Sequence, residues 1–433
     1  MSKFSDESAS VAAMLSETFK NDKVTSVATD DLKADLKDAI STGIPPLDAR
    51  LGGGIFKGRI YEFFGEESHG KSTLSYNCAG AFQAANPKHV VHILETESAI
   101  DKIRCQAIGM DISRLVISEC DLVTEGFARI KEIDDLMKKK LGPDCVVLHI
   151  WDTIAAASTA AEKEGNQYGG GISEKARLIR SALRDITGIL SRSGSILFLI
   201  NQVYDMIGSY GGGVTSPGGR GIRHHASVRI HVIKKAAITE QIDGKDKVIG
   251  YFVDMKFIKN KIAVPMTSFQ AKMHTSYGFL PTPSLCHDVL NELKPTEIEF
   301  AGGGWTTLHF PPECAEGAGQ KMIKAQGAGA LEKIIKPSKF LRKYMEYLCY
   351  KRYTDFYPLM LLKYRHLLWQ KQQDYREAWN AECAKYKGQL VDLKKYPAPA
   401  EVTVEELRKL NDELERLDAN LEGTVEKDPM MVD

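Results

Sequence analysis

Short apolar runs alternate with amphipathic segments between residues 59 and 233. Five runs rich in β-branched and aromatic residues predict buried strands, at Arg59–Phe64, Val90–Leu94, Cys145–Trp151, Ser195–Ile200 and Ala226–Ile233. Apolar positions at helical spacing predict helices between them, at Ser72–Ala85, Phe127–Lys140 and Ile172–Leu190. Buried strands separated by such helices are typical of a mostly parallel sheet that is covered on both faces. The predicted fold class is therefore α/β.

Shifts in composition divide the rest of the chain. Apolar residues near helical spacing predict a short helix at Ala9–Phe19, and Pro397 to Ala400 resembles a linker into a last helix. We therefore predict five regions: an N-terminal arm (1–39), the α/β core (40–270), a small C-terminal α/β module (271–336), a basic and aromatic helical extension (337–400) and an acidic helix or tail (401–433).

Charge is balanced over the whole chain but not along it. Lys and Arg number 57, as do Asp and Glu, which argues against a uniformly basic nucleic-acid coat protein. Residues 333–396 nevertheless contain 15 basic and 6 acidic residues, and residues 397–433 contain 4 basic and 11 acidic residues. A basic segment is thus followed by an acidic one.

Neither a membrane span nor a secretory signal is expected, because no apolar run is long enough and the first residues lack the basic-then-apolar pattern. The eight cysteines are scattered without a Cys-x-x-Cys pair, which predicts reduced, mostly buried thiols. These features indicate a cytoplasmic protein.

A phosphate-binding motif follows the first predicted strand. The motif G-x-x-x-x-G-K-[ST] and the next residue comprise Gly65, Glu66, Glu67, Ser68, His69, Gly70, Lys71, Ser72 and Thr73. Backbone N–H groups of such a loop surround a phosphate, Lys71 would neutralise the β- and γ-phosphates, and Ser72 would bind Mg²⁺. The alternative, a glycine-rich turn, is disfavoured because a strand precedes the motif and a helix follows it.

Carboxylates follow two other predicted strands. Asp152 stands at the carboxyl end of the strand that contains Val146. It would lie beside Mg²⁺ there, although it could instead cap the strand. Glu95 and Glu97 follow the second strand, and either could orient the water that attacks the γ-phosphate. The alternative is that both are solvated loop carboxylates.

These residues, taken with further segments in the same order, resemble the bacterial RecA recombinase family. The segments are Ile40–Asp48, Gly53–Ile60, Asn201–Gln202, Pro217–Arg220, Ala226–Arg229 and Lys259–Pro265. The resemblance covers about residues 40–270 and continues more weakly to about 340. It implies a RecA-like P-loop ATPase core. It also implies that residues 1–39 are an oligomerisation arm whose helix packs on the adjacent subunit, the alternative being a helix folded back on its own core.

The resemblance assigns catalytic and nucleotide-binding roles. It implies that Glu97 activates water, that Gln202 senses the γ-phosphate, and that Lys259 and Lys261 reach the ATP of a neighbouring subunit. Without the resemblance, the two lysines would be solvated charges at a strand end. It also adds two residues to the nucleotide site, Asp101 and Arg104.

Two glycine-rich segments match the DNA-binding loops of the family, Glu164–Gly171 and Val203–Pro217. The resemblance implies DNA contacts from Arg177, Arg184, Gly218, Gly219, Arg220 and Arg223. Contacts to the DNA backbone leave sequence reading to base pairing. Spacing alone would make Arg177 and Arg184 a solvated helix face.

The sequence departs from the family at three functional positions. Arg104 stands where the family has a tyrosine that stacks on adenine, and His224 stands at an aromatic position that couples ATP to the second loop. Tyr204 replaces a basic residue near the start of that loop. Nucleotide selectivity and the strength of coupling are therefore open.

The helical extension permits two interpretations. Its lysines and arginines are interleaved with tyrosines, and the spacing of Tyr344, Tyr347, Tyr350 and Tyr353 predicts one aromatic helix face. That face could be a platform for duplex or single-stranded DNA. It could equally be the core of an amphipathic hairpin. A further hypothesis is that residues 401–433 compete with DNA for the basic segment.

The resulting hypothesis is an ATP- and Mg²⁺-dependent recombination protein. It would form a helical homo-oligomeric filament on single-stranded DNA, pair that strand with homologous double-stranded DNA, and act in the bacterial cytoplasm, encoded by a bacterium or a phage. A hexameric motor of the same fold and a mediator without strand-exchange activity are the alternatives.

Overall fold

A computed structural model describes residues 39–97, 100–164, 171–205, 214–215, 217–316 and 318–400. The predicted helix at Ala9–Phe19 and the acidic segment 401–433 lie outside these residues, as do positions 165–170 and 206–213 of the two predicted DNA-binding loops. Within the described ranges, no helix is both long and apolar enough to cross a membrane.

A nine-stranded sheet forms the centre of the molecule, in the order β11-β10-β9-β8-β1-β5-β4-β2-β3. Its strands are β1 Ile60–Phe64, β2 Val90–Glu95, β3 Leu115–Glu119, β4 Val147–Asp152, β5 Ile196–Asn201, β8 Val228–Ile242, β9 Lys245–Asn260, β10 Ser268–His274 and β11 Gly278–Phe279. The six strands from β8 to β3 are parallel, and β9, β10 and β11 are antiparallel to their neighbours. The predicted α/β class is confirmed.

Helices pack against this sheet. In the core they are α1 Pro45–Leu51, α2 Lys71–Ala85, α3 Lys102–Ile108, α4 Val123–Leu141, α5 Ala160–Lys163, α6 Gly171–Ser193 and α7 Gly219–His225. Helix α6 shows why the pattern folds this way: Ile179, Leu183, Ile186 and Leu190 recur at helical spacing and are all buried. The opposite face of α6 carries exposed arginines.

All five predicted strands and all three predicted helices are present. The largest difference is β8, which continues beyond Ile233 to Ile242 and pairs with β9 in a long hairpin. The outer half of this hairpin is exposed on both faces, so it lacks the buried alternation that marks a strand in sequence. Strand β3 and helix α3 were not predicted, and β3 is only partly buried.

A small module follows the main sheet, which itself extends to Phe279. The module contains a three-stranded antiparallel sheet of β12 Ile298–Ala301, β13 Trp305–His309 and β14 Met322–Gln326, together with helices α8 Pro281–His287, α9 Pro312–Ala315 and α10 Ala328–Ile335. Two more residue pairs outside the main sheet, β6 Tyr204–Asp205 and β7 Val214–Thr215, form an antiparallel ribbon.

The helical extension folds into a hairpin with an aromatic core. Its helices are α11 Lys339–Phe356, α12 Pro358–Lys363 and α13 Arg365–Glu382. The ring of Phe340 lies 5.0 Å from that of Trp379 and 5.4 Å from that of Phe310, measured between centroids, and Trp379 is completely buried. The structure thus favours the hairpin interpretation over the DNA platform.

The prediction of one tyrosine face was wrong. A spacing of three residues advances 300° around a helix, so Tyr353 lies about 180° from Tyr344. Tyr344 contacts Tyr375 of α13 at 5.4 Å, whereas Tyr353 contacts Tyr364 at 6.0 Å. The tyrosines are buried on different sides because α11 lies between α13 and the core.

Candidate functional site

A cavity of about 470 Å³ opens at the carboxyl ends of the parallel strands, where open α/β sheets bind ligands. It is lined by Ser68, His69, Gly70, Lys71, Ser72, Thr73, Tyr76, Glu95, Glu97, Asp101, Arg104, Asp152, Tyr251, Met273 and Thr275. The structure therefore brings most of the predicted nucleotide-binding residues together. Gly65, Glu66 and Glu67 form the preceding part of the same loop.

Glycine is required at both ends of the phosphate loop. A Cβ atom on Gly65 would lie 2.2 Å from the carbonyl oxygen of Val232 on β8, so only glycine allows this approach. Gly70 has a φ of 90° and packs against the Met273 side chain. It precedes α2, whose N-terminus has no side-chain cap and no acidic residue in its first turn. The free N–H groups of α2 therefore point toward the loop and suit a phosphate.

Lys71 is buried beside the loop. Its Nζ donates to the carbonyl oxygens of Gly65 at 2.9 Å and Glu66 at 2.6 Å. Burial lowers the pKa of Lys71, and the carboxylates of Asp152 and Glu97 oppose that shift. A cation held in this way is already dehydrated and can neutralise a phosphate at little further cost.

Asp152 lies at the end of β4 and is in register with Glu95 of β2. Tyr76 donates to its Oδ2 at 3.2 Å. Burial raises the pKa of Asp152, while hydrogen bonds from Ser72 and Tyr76 and the charge of Lys71 oppose the shift. A hydroxyl and a carboxylate oxygen in contact fit Mg²⁺, which prefers oxygen ligands and keeps several waters. Ser72 and Asp152 are thus the residues that would hold the ion.

Both glutamates left open by the sequence line the cavity, but their environments differ. Glu95 ends β2 and is buried, whereas Glu97 lies two residues beyond the strand end and is exposed. Burial and the charges of Asp152 and Glu67 raise the pKa of Glu97, and Lys71 opposes them. A raised pKa suits a general base, so Glu97 is the better candidate.

Thr96 fixes the strand end between these glutamates. Its Oγ1 donates to the Thr153 carbonyl at 2.7 Å and accepts from the Thr153 N–H at 2.9 Å. The ends of β2 and β4 are thereby joined, and the carboxylates at those ends cannot move independently.

Arg104 is tied to the phosphate loop. One of its terminal nitrogens donates to Thr73 Oγ1 at 3.0 Å, and Asp101 caps helix α3 by accepting from the Ile103 N–H at 2.8 Å. The guanidinium therefore borders the cavity where the resemblance implies a base-stacking residue, and a planar cation can fill that role.

Sequence analysis missed four residues that line the cavity: Tyr76, Tyr251, Met273 and Thr275. Tyr76 follows Ser72 by one helical turn, a spacing that could have indicated it. Tyr251 and Met273 are paired across β9 and β10 and come from more than 170 residues beyond the loop. No local pattern could have placed them there.

Gln202 follows β5 at the same edge of the sheet but does not line the cavity. The preceding Asn201 donates from Nδ2 to Glu62 Oε1 at 2.9 Å and to the Pro217 carbonyl at 3.0 Å. Asn201 thus joins both ends of the second loop, and Glu62, which also pairs with Arg229, anchors it to β1.

Lys259 and Lys261 lie outside the cavity. Lys259 Nζ donates to the carbonyl oxygens of Arg223 at 2.5 Å and His224 at 3.0 Å, the last turn of α7. Burial and the neighbouring charges of Lys261 and Arg229 lower the pKa of Lys259 to about 8. Lys261 is exposed. Neither lysine is among the residues that line the nucleotide cavity.

The predicted DNA-contacting arginines lie exposed on two helices that pack together. Arg177 and Arg184 are on α6, and Arg220 and Arg223 are on α7, after Gly218 and Gly219. Arg180 was missed, although its spacing places it on the same face of α6 as Arg177 and Arg184. Helices α6 and α7 follow β4 and β5, which are neighbours in the sheet, and of these two strands β4 contributes Asp152 to the cavity lining.

Comparison with known proteins agrees with this geometry. A model of the RecA N-terminal domain family matches residues 9–279. Protein RecA of Symbiobacterium thermophilum is 33% identical over 270 residues, 62% of this chain and 73% of that protein. Protein RecA of Thermus aquaticus is 34% identical over 270 residues, 62% of this chain and 75% of that protein.

A third relative, Protein RecA of Clostridioides difficile, is 31% identical over 289 residues, covering 66% of this chain and 77% of that protein. The matched region contains the phosphate loop, the strand-end carboxylates, the arginine-bearing helices and the Lys259–Lys261 segment. The chain belongs to the RecA family.

Proposed function

We propose that this protein is an ATP-dependent recombinase that assembles into a helical filament on single-stranded DNA and pairs that strand with homologous duplex DNA. Membership in the RecA family supports a role in recombination and repair. One observation carries the finer proposal: the nucleotide cavity and the arginine-bearing helices arise from neighbouring strand ends. Asp152 ends β4, which leads to α6, and Asn201 ends β5, which leads to α7.

The residues of the cavity would divide the chemistry among themselves. Lys71 and the N–H groups of α2 bind the phosphates. Bound Mg²⁺ would neutralise phosphate charge, held by Ser72 and Asp152. Glu97 accepts a proton from the attacking water and orients it toward the γ-phosphate. Arg104 and Tyr251 border the cavity and would exclude water from the nucleotide.

Assembly would complete the site. Lys261 is exposed and Lys259 lies against α7, so both could contribute only to the nucleotide of another subunit. A cation supplied in trans makes hydrolysis depend on oligomerisation. A head-to-tail contact that does not close gives a helical filament rather than a ring.

Strand exchange by the purified protein tests this proposal. Wild-type protein with ATP, Mg²⁺ and single-stranded DNA should transfer the complementary strand of a homologous duplex. Lys71→Ala should bind no nucleotide and exchange no strands. ATP hydrolysis without exchange by wild-type protein would instead favour a mediator, and closed rings in electron micrographs would favour a hexameric motor.

A further inference from the structure

The helical extension contacts the core close to the segment that carries Lys259 and Lys261. The model of the RecA N-terminal domain matches residues 9–279, so this extension lies outside the matched residues. Its helices α11 and α12 approach α1 and the turn at residues 260–267, which joins β9 to β10.

A chain of hydrogen bonds leads from the extension to the residue between the two lysines. Tyr364 is fully buried, and its hydroxyl donates to the Ala49 carbonyl of α1 at 2.6 Å. The carbonyl of the next residue, Arg50, accepts from Asn260 Nδ2 at 2.9 Å. Asn260 separates Lys259 from Lys261, so hydrogen bonds to two adjacent carbonyls of α1 connect Tyr364 with the segment that carries both lysines.

The turn itself is held from two sides. On one side, Asn260 Oδ1 accepts from the N–H groups of Ile262 and Ala263, both at 3.0 Å. On the other side, Lys363 of the extension donates from Nζ to the Ile262 carbonyl at 3.4 Å. The extension therefore contacts the backbone next to Lys261 directly.

Helix α1 cannot move independently of the extension. The Arg50 guanidinium pairs with Asp288 at 2.8 and 3.0 Å and lies 5.7 Å from the ring centroid of Tyr353 on α11. Arg50, Asp288 and Tyr353 are all buried. Tyr353 of α11 covers this ion pair, so separating α11 from α1 would remove that cover and expose buried surface to water.

We propose that the extension is a brace that positions Lys259 and Lys261 for the ATP of a neighbouring subunit. This inference rests on the proposed function. Tyr364 and Lys363 touch no nucleotide-binding residue and act through Asn260 and Ile262, so they are positioning residues. Cations held in their productive geometry before assembly stabilise the transition state without having to reorganise when hydrolysis occurs.

The test combines Lys363→Met with Tyr364→Phe in the full chain, which removes two donors and keeps both hydrophobic stems. Lys395→Met is the matched control, because Lys395 is an exposed lysine of the same extension. The double variant should bind a fluorescent ATP analogue as wild type does when the protein is too dilute to assemble. At assembling concentrations, its kcat on DNA should fall by up to about 10²-fold, the cost of misplacing a catalytic group by about 1 Å.

The same substitutions in a Lys261→Ala background distinguish a brace from general damage. If the extension acts through the lysines, the substitutions should lower the residual hydrolysis of Lys261→Ala much less than that of wild type. An equal loss in both backgrounds, or wild-type kcat in the double variant, would overturn the brace. Absence of ATP hydrolysis by wild-type protein would instead contradict the proposed function on which this inference rests.

Discussion

The nucleotide cavity and arginine-bearing helices of the core use their charged side chains differently from the helical extension. In the core, Lys71 Nζ donates to two carbonyls of its own loop, and Glu97 and Arg220 are exposed beside predicted ligand sites. In the extension, lysines pair with nearby carboxylates: Lys343 with Glu346 at 2.9 Å, Lys351 with Glu297 at 3.1 Å and Lys371 with Glu346 at 3.2 Å. Charge density along a chain therefore indicates a ligand site only where the fold leaves the charges to a ligand.

The largest effect should come from Glu97, the carboxylate proposed to act as the general base. Glu97→Gln removes the proposed base, so kcat for ATP hydrolysis should fall about 10²- to 10⁴-fold. Nucleotide binding should persist, because the phosphate loop is unchanged. Steady-state hydrolysis and equilibrium binding of a fluorescent analogue measure the two quantities.

Glu95→Gln is the matched control for that prediction. It changes a carboxylate on the same wall of the cavity two residues away. A larger loss of kcat from Glu95→Gln than from Glu97→Gln would show that the buried glutamate is the base.

The extension should respond to loss of its aromatic core in stability rather than in ligand binding. Trp379 is fully buried, stacks on Tyr386 and donates to the Gln389 carbonyl at 2.8 Å. Trp379→Ala should lower the free energy of unfolding by about 3–5 kcal/mol. Denaturant titration measures this loss, and DNA affinity per folded molecule should stay constant. Weaker DNA binding at unchanged stability would restore the platform interpretation.

A buried pair in the core should make its stability sensitive to acid. His92 and His149 contact each other through Nδ1 atoms 2.9 Å apart, and both are fully buried between β2 and β4. Burial lowers the pKa of both imidazoles, so at mildly acidic pH the unfolded chain binds more protons at these histidines than the folded protein does. The free energy of unfolding should therefore be independent of these histidines' titration above about pH 6.5. Below that pH it should fall by up to about 1.4 kcal/mol per pH unit for each histidine.

Urea titrations between pH 7.5 and 5.5 measure that slope. The free energy of unfolding of the His92→Gln, His149→Gln double variant should depend less steeply on pH than that of wild type. Asp48 acts in the opposite direction, because burial raises its pKa to about 6 and the folded protein gains a proton as pH falls through that value. An unchanged slope in the variant would assign the acid sensitivity to other groups.

The smallest effect should come from the paired cations of the extension. Lys351→Met removes a partly exposed ion pair with Glu297 and should change the free energy of unfolding by about 0–1 kcal/mol. It should leave the salt dependence of DNA binding unchanged, whereas Arg220→Ala should reduce the logarithmic salt slope by about 1. Equal changes in slope from the two variants would contradict the contrast between core and extension.

Local sequence was sufficient to predict those parts of the candidate site that are formed by residues close together in the chain. The phosphate loop, Asp152 and Glu97 could be predicted because each adjoins a strand whose apolar pattern is clear. The aromatic-rich strand before Gly65 and the helix after Gly70 fix the geometry of that loop.

The sequence could not predict residues that reach the cavity through long-range strand pairing, nor the helix face on which each tyrosine of α11 lies. Tyr251 and Met273 reach the cavity through antiparallel pairing on the far side of β8. The tyrosines of α11 repeat every third residue, a period that rotates steadily around a helix. Their partners Tyr375 and Tyr364 could not be deduced from α11 alone.

The hydrogen bond between Ala49 and Tyr364 joins residues 315 positions apart. Because a ribosome adds roughly 5–20 residues per second, about 15–60 s would separate the synthesis of these two residues. During that interval the residues of the extension that cover helix α1 and Arg50 have not yet been synthesised. The first element of the core would therefore be among the last to gain its native packing during translation.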